Sequence, residues 1–419
     1  MMAGKMIMRE GLSFLVVCIF LIGLIPPTGQ AIASASNEQE IAPALSGDNG
    51  LINVPNATKN IEFRSVFVRL SFYQLFSSKD EFSTTENIMS VVDAFIEDLN
   101  NHSIKMAFVG FKNDGASYDP DRPKELQWAS GILMYNSKNH QDLVYGPFNR
   151  SITQENFDPM QYLVDRCEEN NIEVHAWVPV FKDHIGAELL NLSLQPESEH
   201  NVKPDDVDVR QYELSVVTEI LQTYPQIKGI NLDYIRSGDD ANNEYRQDPD
   251  VAKAVVDFVK DVEEVTKKQN KILSADVFAS DWAYKVGQDI EEISNHVDAL
   301  MPMTYHGDNS LWGGSTDPEW VGEIIGDYKS RYNSQYILAG IQGYDTRGKE
   351  SFDVTPEQII TAVNSARENG ADGFALFNYV SFKEDIGNLE DIQEILSGPT
   401  IMWSAIANDA LNRTVGTSP

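Results

Sequence analysis

The sequence predicts an α/β chain that closes as a (β/α)8 TIM barrel. Three observations carry this. Eight short apolar, β-branched runs recur between residues 65 and 380. Seven amphipathic stretches of helical period separate them, the alternation expected of a parallel sheet covered by helices. No glycine-rich phosphate turn follows the first run, which disfavours the rival doubly wound sheet. No cofactor is expected.

In chain order, "SVFVRLSFY" (65–73) precedes a helical pattern over 86–100, and "KMAFVGFK" (105–112) precedes one over 157–170. "IEVHAWVPVF" (172–181) leads to 208–223, and "IKGINLDYI" (227–235) to 249–269. "KILSADVF" (271–278) leads to 286–295, "VDALMPMTY" (297–305) to 318–332, and "YILAGIQGY" (336–344) to 356–369. "DGFALFNYV" (372–380) closes the series. Asp158, Asp317 and Thr355 each stand before a proline, placing a capping side chain ahead of a residue suited to the first helical position. Gly370 is placed to end the last helix in a left-handed conformation. Two long loops interrupt the pattern, 113–156 after the second strand and 182–207 after the third. Both follow strand C-termini, where a barrel builds its binding face.

The 419 residues are 42% hydrophobic, enough for one large core or two ordinary ones. Asp and Glu total 64 against 32 Lys and Arg, a formal charge of −32. Such a surface repels phosphate backbones and anionic lipid, so no nucleic-acid partner is expected and a neutral or cationic ligand is easier to bind. Lys5 and Arg9 precede the apolar run "GLSFLVVCIFLIGLIP" (11–26), and "AIASAS" (31–36) offers small residues for cleavage. This reads as a signal peptide over 1–33, hence a secreted or cell-surface protein with no membrane contact beyond an uncleaved N-terminal anchor. A polar linker over 34–62, a barrel over 63–395 and a polar tail over 396–419 complete the expected organisation. Cys18 lies in the leader, so only Cys167 would remain, without an internal disulfide. Asn-x-Ser/Thr sequons stand at Asn56, Asn101, Asn149, Asn191 and Asn412.

Alternation along each strand gives a pore face and a helix face. Taking the more polar parity places Arg69 and Ser71 on strand one, Lys112 on two, and His175 and Trp177 on three. Asn231 and Asp233 follow on four, Ser274 and Asp276 on five, and Met303 and Tyr305 on six. Gln342 lies on seven, and Asn378 or Tyr379 on eight. Asp233 and Asp276 end adjacent strands, which lie ~4.8 Å apart. Two carboxylates flanking a bond are the minimum for glycoside hydrolysis, one of them kept protonated by burial or by its neighbour's charge. Asp233 could instead serve only as an ion-pair partner of Arg236. That residue has the opposite parity and reaches Asp233 only if the chain has already turned. Trp128, Trp177, Trp282, Trp312 and Tyr305 offer flat rings for sugar faces, with Trp312 in "GDNSLWGG" the best placed. His175, His184 and His306 show no recognised metal spacing, so no metal is expected. No G-x-S-x-G turn is present for a serine nucleophile.

These residues resemble a known group. "NNIEVHAWVPVF" (170–181) and "IKGINLDYIR" (227–236) resemble the third and fourth strands of the glycosyl-hydrolase-like family 10 barrels. "DALMPMTYH" (298–306) resembles the sixth strand of that group and of chitinase-like barrels, and "FKNDGASYD" (111–119) the second-strand end of a related glycosyl hydrolase barrel. The resemblance implies a secreted barrel acting on, or binding, a polysaccharide or oligosaccharide. It carries Asp233, Tyr234 and Arg236 onto the motif's Asp, Tyr and Arg, with Asn231 in place of its His. The chitinase-like pattern D-G-x-D-x-D-x-E fits less well, because its acidic Glu would fall on Ile235. The expected function is therefore an exported glycoside hydrolase with Asp233 as nucleophile or base and Asp276 as acid. Arg69, Lys112, Trp177, Asn231, Tyr234, Arg236, Tyr305, His306, Trp312, Gln342 and Asn378 would hold the sugar. The alternative is a carbohydrate-binding barrel at the cell surface without hydrolytic activity.

Overall fold

The computed structural model describes residues 62–70, 75, 84–115, 129–145, 148, 157–238, 244–307, 315–345 and 354–404. Eight parallel strands close in sequence order: β1 (Phe63–Val68), β2 (Met106–Gly110), β3 (Glu173–Pro179), β4 (Gly229–Asp233), β5 (Ile272–Phe278), β6 (Ala299–Thr304), β7 (Tyr336–Gln342) and β8 (Gly373–Phe377). β8 pairs back onto β1 with Phe63 opposite Gly373. One principal helix covers each of the first seven strands: α1 (Thr85–Asn101), α2 (Pro159–Glu169), α3 (Val207–Thr223), α4 (Pro249–Lys268), α5 (Ile290–Ser294), α6 (Trp320–Arg331) and α7 (Pro356–Glu368). This is the (β/α)8 TIM barrel that the alternating pattern predicts.

Alternation sorts the strand residues into two cores. Phe63, Phe67, Met106, Phe108, Trp177, Met301 and Leu338 fill the barrel, as a packed interior rather than a pore. Val66, Val109, Val174, Ile230 and Val277 face outward and bury the apolar stripes of the helices. Local chemistry sets the helix ends. The Asp158 carboxylate accepts from the backbone N–H groups of Met160 and Gln161 at 2.9 and 3.0 Å. Thr355 and Gln358 form a reciprocal capping box. Gly370 takes φ +90° after α7. The third expected cap differs: Asp317 accepts from the Glu319 N–H at 3.0 Å, but Pro318 lies in a turn and α6 begins only at Trp320. The helix expected over 286–295 is also shorter, because Gly287 at φ +76° separates a four-residue turn (Trp282–Lys285) from α5.

The floor of the barrel is sealed by residues beyond 395. Arg64 donates to the backbone carbonyls of Leu396, Gly398 and Ser397 at 2.7, 2.9 and 2.8 Å. Trp403 enters from below and stacks on Phe63 at 4.3 Å. Glu173 accepts from the backbone N–H groups of Trp403 and Ser404, both at 2.8 Å. Just above, His175 packs between Phe108 and Trp403, fully buried, with burial holding its pKa down at about 3. His175 therefore belongs to the neutral interior and not to the mouth.

Gly229 opens the "GINLD" strand because a side chain would not fit. A Cβ there would meet His175 Nδ1 at 2.5 Å and the Ile272 carbonyl oxygen at 2.7 Å. Gly229→Ala is expected to destabilise the fold by about 1–3 kcal/mol, read from the midpoint of urea unfolding. An unchanged midpoint would contradict this packing.

Candidate active site

β4 ends at Asp233, and Tyr234 then adopts φ +51°. That left-handed residue reverses the chain, so Arg236 returns over the strand end despite its opposite parity. Arg236 Nη1 donates to Asp233 Oδ1 at 3.4 Å. Its guanidinium lies 4.0 Å from the Tyr234 ring centre and 4.7 Å from that of Phe278. The Tyr234 N–H donates to the same carboxylate oxygen at 2.6 Å, and Trp177 Nε1 donates to Oδ2 at 3.2 Å. Asp233 is therefore fixed at both oxygens. The ion pair with Arg236 exists, and it sits on the wall of a cavity rather than on a solvated surface.

Asp276 occupies the matching place on β5. The register Leu232 opposite Ala275 puts Asp233 and Asp276 level on neighbouring strands. The two are 5% and 4% exposed, so both carboxyl groups have left water. Burial raises the Asp276 pKa well above its ordinary value, and the charge of Asp233 raises it further. Asn231 Nδ2, which donates to Asp276 Oδ1 at 3.1 Å, opposes that shift. Burial also raises Asp233, while Arg236, the Tyr234 N–H and Trp177 pull it back. The environments differ in the useful sense: Asp276 keeps its proton to higher pH and Asp233 yields first.

A cavity of about 480 Å³ opens above Asp233 at the C-terminal ends of the strands, while Asp276 lies behind its lining, held by Asn231. Arg69, Asp233, Tyr234, Arg236, Tyr305 and Asn378 line it, as does Met303. Tyr305 and Phe377 stand near-parallel at 5.7 Å, giving the cavity a flat aromatic wall. Asn378 faces the cavity and caps the following turn, accepting from the Ser381 N–H at 3.1 Å. Tyr379 points the other way and donates to Asp98 on α1 at 2.6 Å.

Other expected sugar contacts stand elsewhere. Lys112 is fully buried against Asp183 at 2.8 Å and Glu213 at 2.7 Å. β2 ends at Gly110, so strand parity no longer governs residue 112, and the side chain reaches α3 rather than the mouth. Removing its charge strands two buried carboxylates. Lys112→Met is expected to cost about 3–5 kcal/mol of stability, measured by urea unfolding; a loss of sugar affinity with unchanged stability would contradict this placement. Gln342 is also spent internally, accepting from the Gly307 N–H and donating to the Tyr344 carbonyl oxygen, both at 2.8 Å. It ties the loop after β6 to the loop after β7. His306 is buried away from the cavity lining, its pKa pushed down to about 4 by burial. Trp177 and Asn231 lie beneath the cavity and position Asp233 and Asp276. Trp282 packs against the outer core. Ser71, Trp128 and Trp312 lie outside the described residues.

The cavity also contains residues that strand parity did not single out. Asp114, paired with Arg69 at 2.6 Å, comes from the loop after β2. Tyr344 and Asp345 follow β7, and Ser381, Glu384 and Asp385 follow β8. The only sequence signal for them was their place after strand ends. Among the described residues, no group of three or more His, Cys, Asp or Glu is placed to hold a metal ion.

A TIM barrel with paired carboxyl groups at its strand ends and an aromatic wall beside the cavity has the layout of the barrel glycoside hydrolases. The chain belongs to the family described as "Putative glycosyl hydrolase domain", which matches residues 127–381. No curated protein matches it in sequence. Among solved structures it is similar to the C-terminal domain of a "putative chitinase" from Desulfitobacterium hafniense DCB-2, with TM-score 0.51 and 13% identity over 80% of this chain and 99% of that one. It is similar to catalytic domain 2 of the Group II chitinase of Ostrinia furnacalis, with TM-score 0.50 and 11% identity over 80% and 96%. It is also similar to the endo-beta-1,4-mannanase of Thermotoga petrophila, with TM-score 0.50 and 13% identity over 81% and 77%. At these identities the likeness is one of fold.

Proposed function

We propose that the chain is an exported glycoside hydrolase that cleaves a polysaccharide with Asp233 and Asp276. The observation that carries this is the pair itself: two buried carboxyl groups level on adjacent strands, Asp276 pushed further above its ordinary pKa than Asp233, with Asp233 in the lining of an open cavity. Strands ~4.8 Å apart suit the ~5–5.5 Å carboxyl separation of a retaining enzyme. In that reading Asp276 gives its proton to the glycosidic oxygen as the bond to the anomeric carbon breaks. Asp233 attacks that carbon and forms a glycosyl ester. Asp276, now ionised, takes a proton from water, whose oxygen displaces Asp233 and releases the sugar. Arg236, Tyr234 and Trp177 hold Asp233, and Tyr305 with Phe377 supports the sugar ring. The apolar leader and small-residue site near the N-terminus support export, and the fourth-strand segment "GINLDYIR" supports kinship with the family 10-like barrels.

The test is a polysaccharide screen that reads released reducing ends, followed by NMR of the first anomer formed. Retention is expected. Inversion would remove the adjacent-strand pair as the reacting carboxylates. A non-hydrolytic sugar-binding barrel is favoured by one observation: Ile235, where a chitinase-like enzyme carries its acid, is fully buried in the core. Binding in the screen without any released reducing ends would support that second reading.

A further inference from the structure

We propose that the cavity takes a cationic sugar polymer, an oligosaccharide bearing free, protonated amino groups. The inference rests on the hydrolase reading of this site and names its substrate class. Among the described residues, five carboxylates line the cavity, Asp114, Asp233, Asp345, Glu384 and Asp385, against two guanidinium groups. Asp233 ends β4, Asp114 follows β2, and the other three follow the neighbouring strands β7 and β8. Both guanidinium groups are already engaged. Arg69 is bridged to Asp114 at 2.6 Å and lies 5.0 Å from the Phe377 ring centre. Arg236 is held by Asp233 and by two aromatic faces. A uronate or sulfated sugar would have to take these cations from carboxylates that hold them.

The described lining is therefore net negative, most strongly on the β7–β8 side where Asp345, Glu384 and Asp385 stand. Tyr305 and Phe377 provide the apolar surface for a sugar ring, with Asp345, Glu384 and Asp385 in the same lining. A concave site with low-dielectric walls concentrates that field. An ammonium group gains a full charge–charge attraction from it, whereas a neutral hydroxyl or acetamide gains only a hydrogen bond. The whole chain, at −32, biases the approach of a polycation in the same direction.

The experiment measures binding of a fully deacetylated glucosamine oligomer, its N-acetylated counterpart and a neutral glucose oligomer of equal length. Each is titrated at low and at high salt into the wild-type protein and into a Glu384→Gln, Asp385→Asn variant. The deacetylated oligomer is expected to bind at least about tenfold more tightly at low salt, with the preference shrinking at high salt and in the variant. Equal or tighter binding of either neutral oligomer would overturn the inference. So would a preference that survives both salt and the substitutions. The salt series on the wild-type protein decides the matter if the variant does not fold. Reducing ends are followed in parallel. A cationic preference without cleavage keeps this inference and removes the hydrolase reading, whereas cleavage of neutral oligomers alone does the reverse.

Discussion

Asp233→Asn is expected to slow hydrolysis by about 10²–10⁴-fold, with little change in KM. The amide keeps the shape of the carboxylate but cannot attack the anomeric carbon or accept a proton. The fold should tolerate it at modest cost. Asp233 accepts from the Tyr234 N–H and from Trp177 Nε1 on different oxygens, so one of the two donors would face an NH2 group, a loss of about 1–3 kcal/mol. Asp276 responds as well. Its pKa is raised partly by the negative charge of Asp233, and removing that charge brings it down. The alkaline limb of the residual activity should therefore move to lower pH. Steady-state kinetics across pH on a confirmed substrate checks both effects. A variant that turns over at the wild-type rate would end the assignment of Asp233.

Asp276→Asn is expected to lose activity while becoming more stable relative to wild type as pH rises. In the folded chain Asp276 retains its proton well above the ordinary carboxylate value of 3.8, whereas in the unfolded chain it titrates near that value. Above it, the unfolded state binds fewer protons than the folded state. Stability then falls with rising pH by about 1.4 kcal/mol per unit until the folded-state pKa is passed. An amide has no proton to retain, so the variant lacks this slope. His175 and His306 act in the opposite sense. Both are held neutral below the ordinary histidine value of 6.5, so they cost stability as pH falls. They do so in both proteins, so the difference between wild type and variant reports the Asp276–Asp233 pair. Urea titrations at about pH 5 and about pH 7 provide the reading; parallel curves would mean that Asp276 is ionised in the folded protein.

The fold was legible wherever one physical rule dominated. Period-two and period-3.6 apolar patterns located every strand and each principal helix, because burial on one face leaves a regular trace. Capping pairs such as Thr355 with Pro356 marked helix starts for the same local reason. The site was legible only as far as strand parity extends. Asp233 and Asp276 could be placed because their strands impose alternation, which persists one residue past β6 to Tyr305. Lys112 could not, since the chain has left β2 by residue 112 and long-range ion pairs with Asp183 and Glu213 decide its direction. Gln342 shows the converse: parity turns it inward, but two backbone partners claim its amide. Asp114 and Asp345 lie in loops with no period and Glu384 in a single helical turn after β8, where three-dimensional closure alone brings them to one cavity.

The clamp beneath the barrel has a consequence for biosynthesis. Arg64 is the second residue of the first strand to emerge, yet its carbonyl partner on Leu396 follows 332 positions later. Glu173 and Phe63 likewise wait for Trp403. A nascent chain must therefore carry a buried guanidinium and an open floor through almost the whole of its synthesis, with its contacts weighted toward distant residues and slow closure. A premature stop at residue 395 would spare all eight strands and still deliver a chain that proteases and chaperones treat as unfinished.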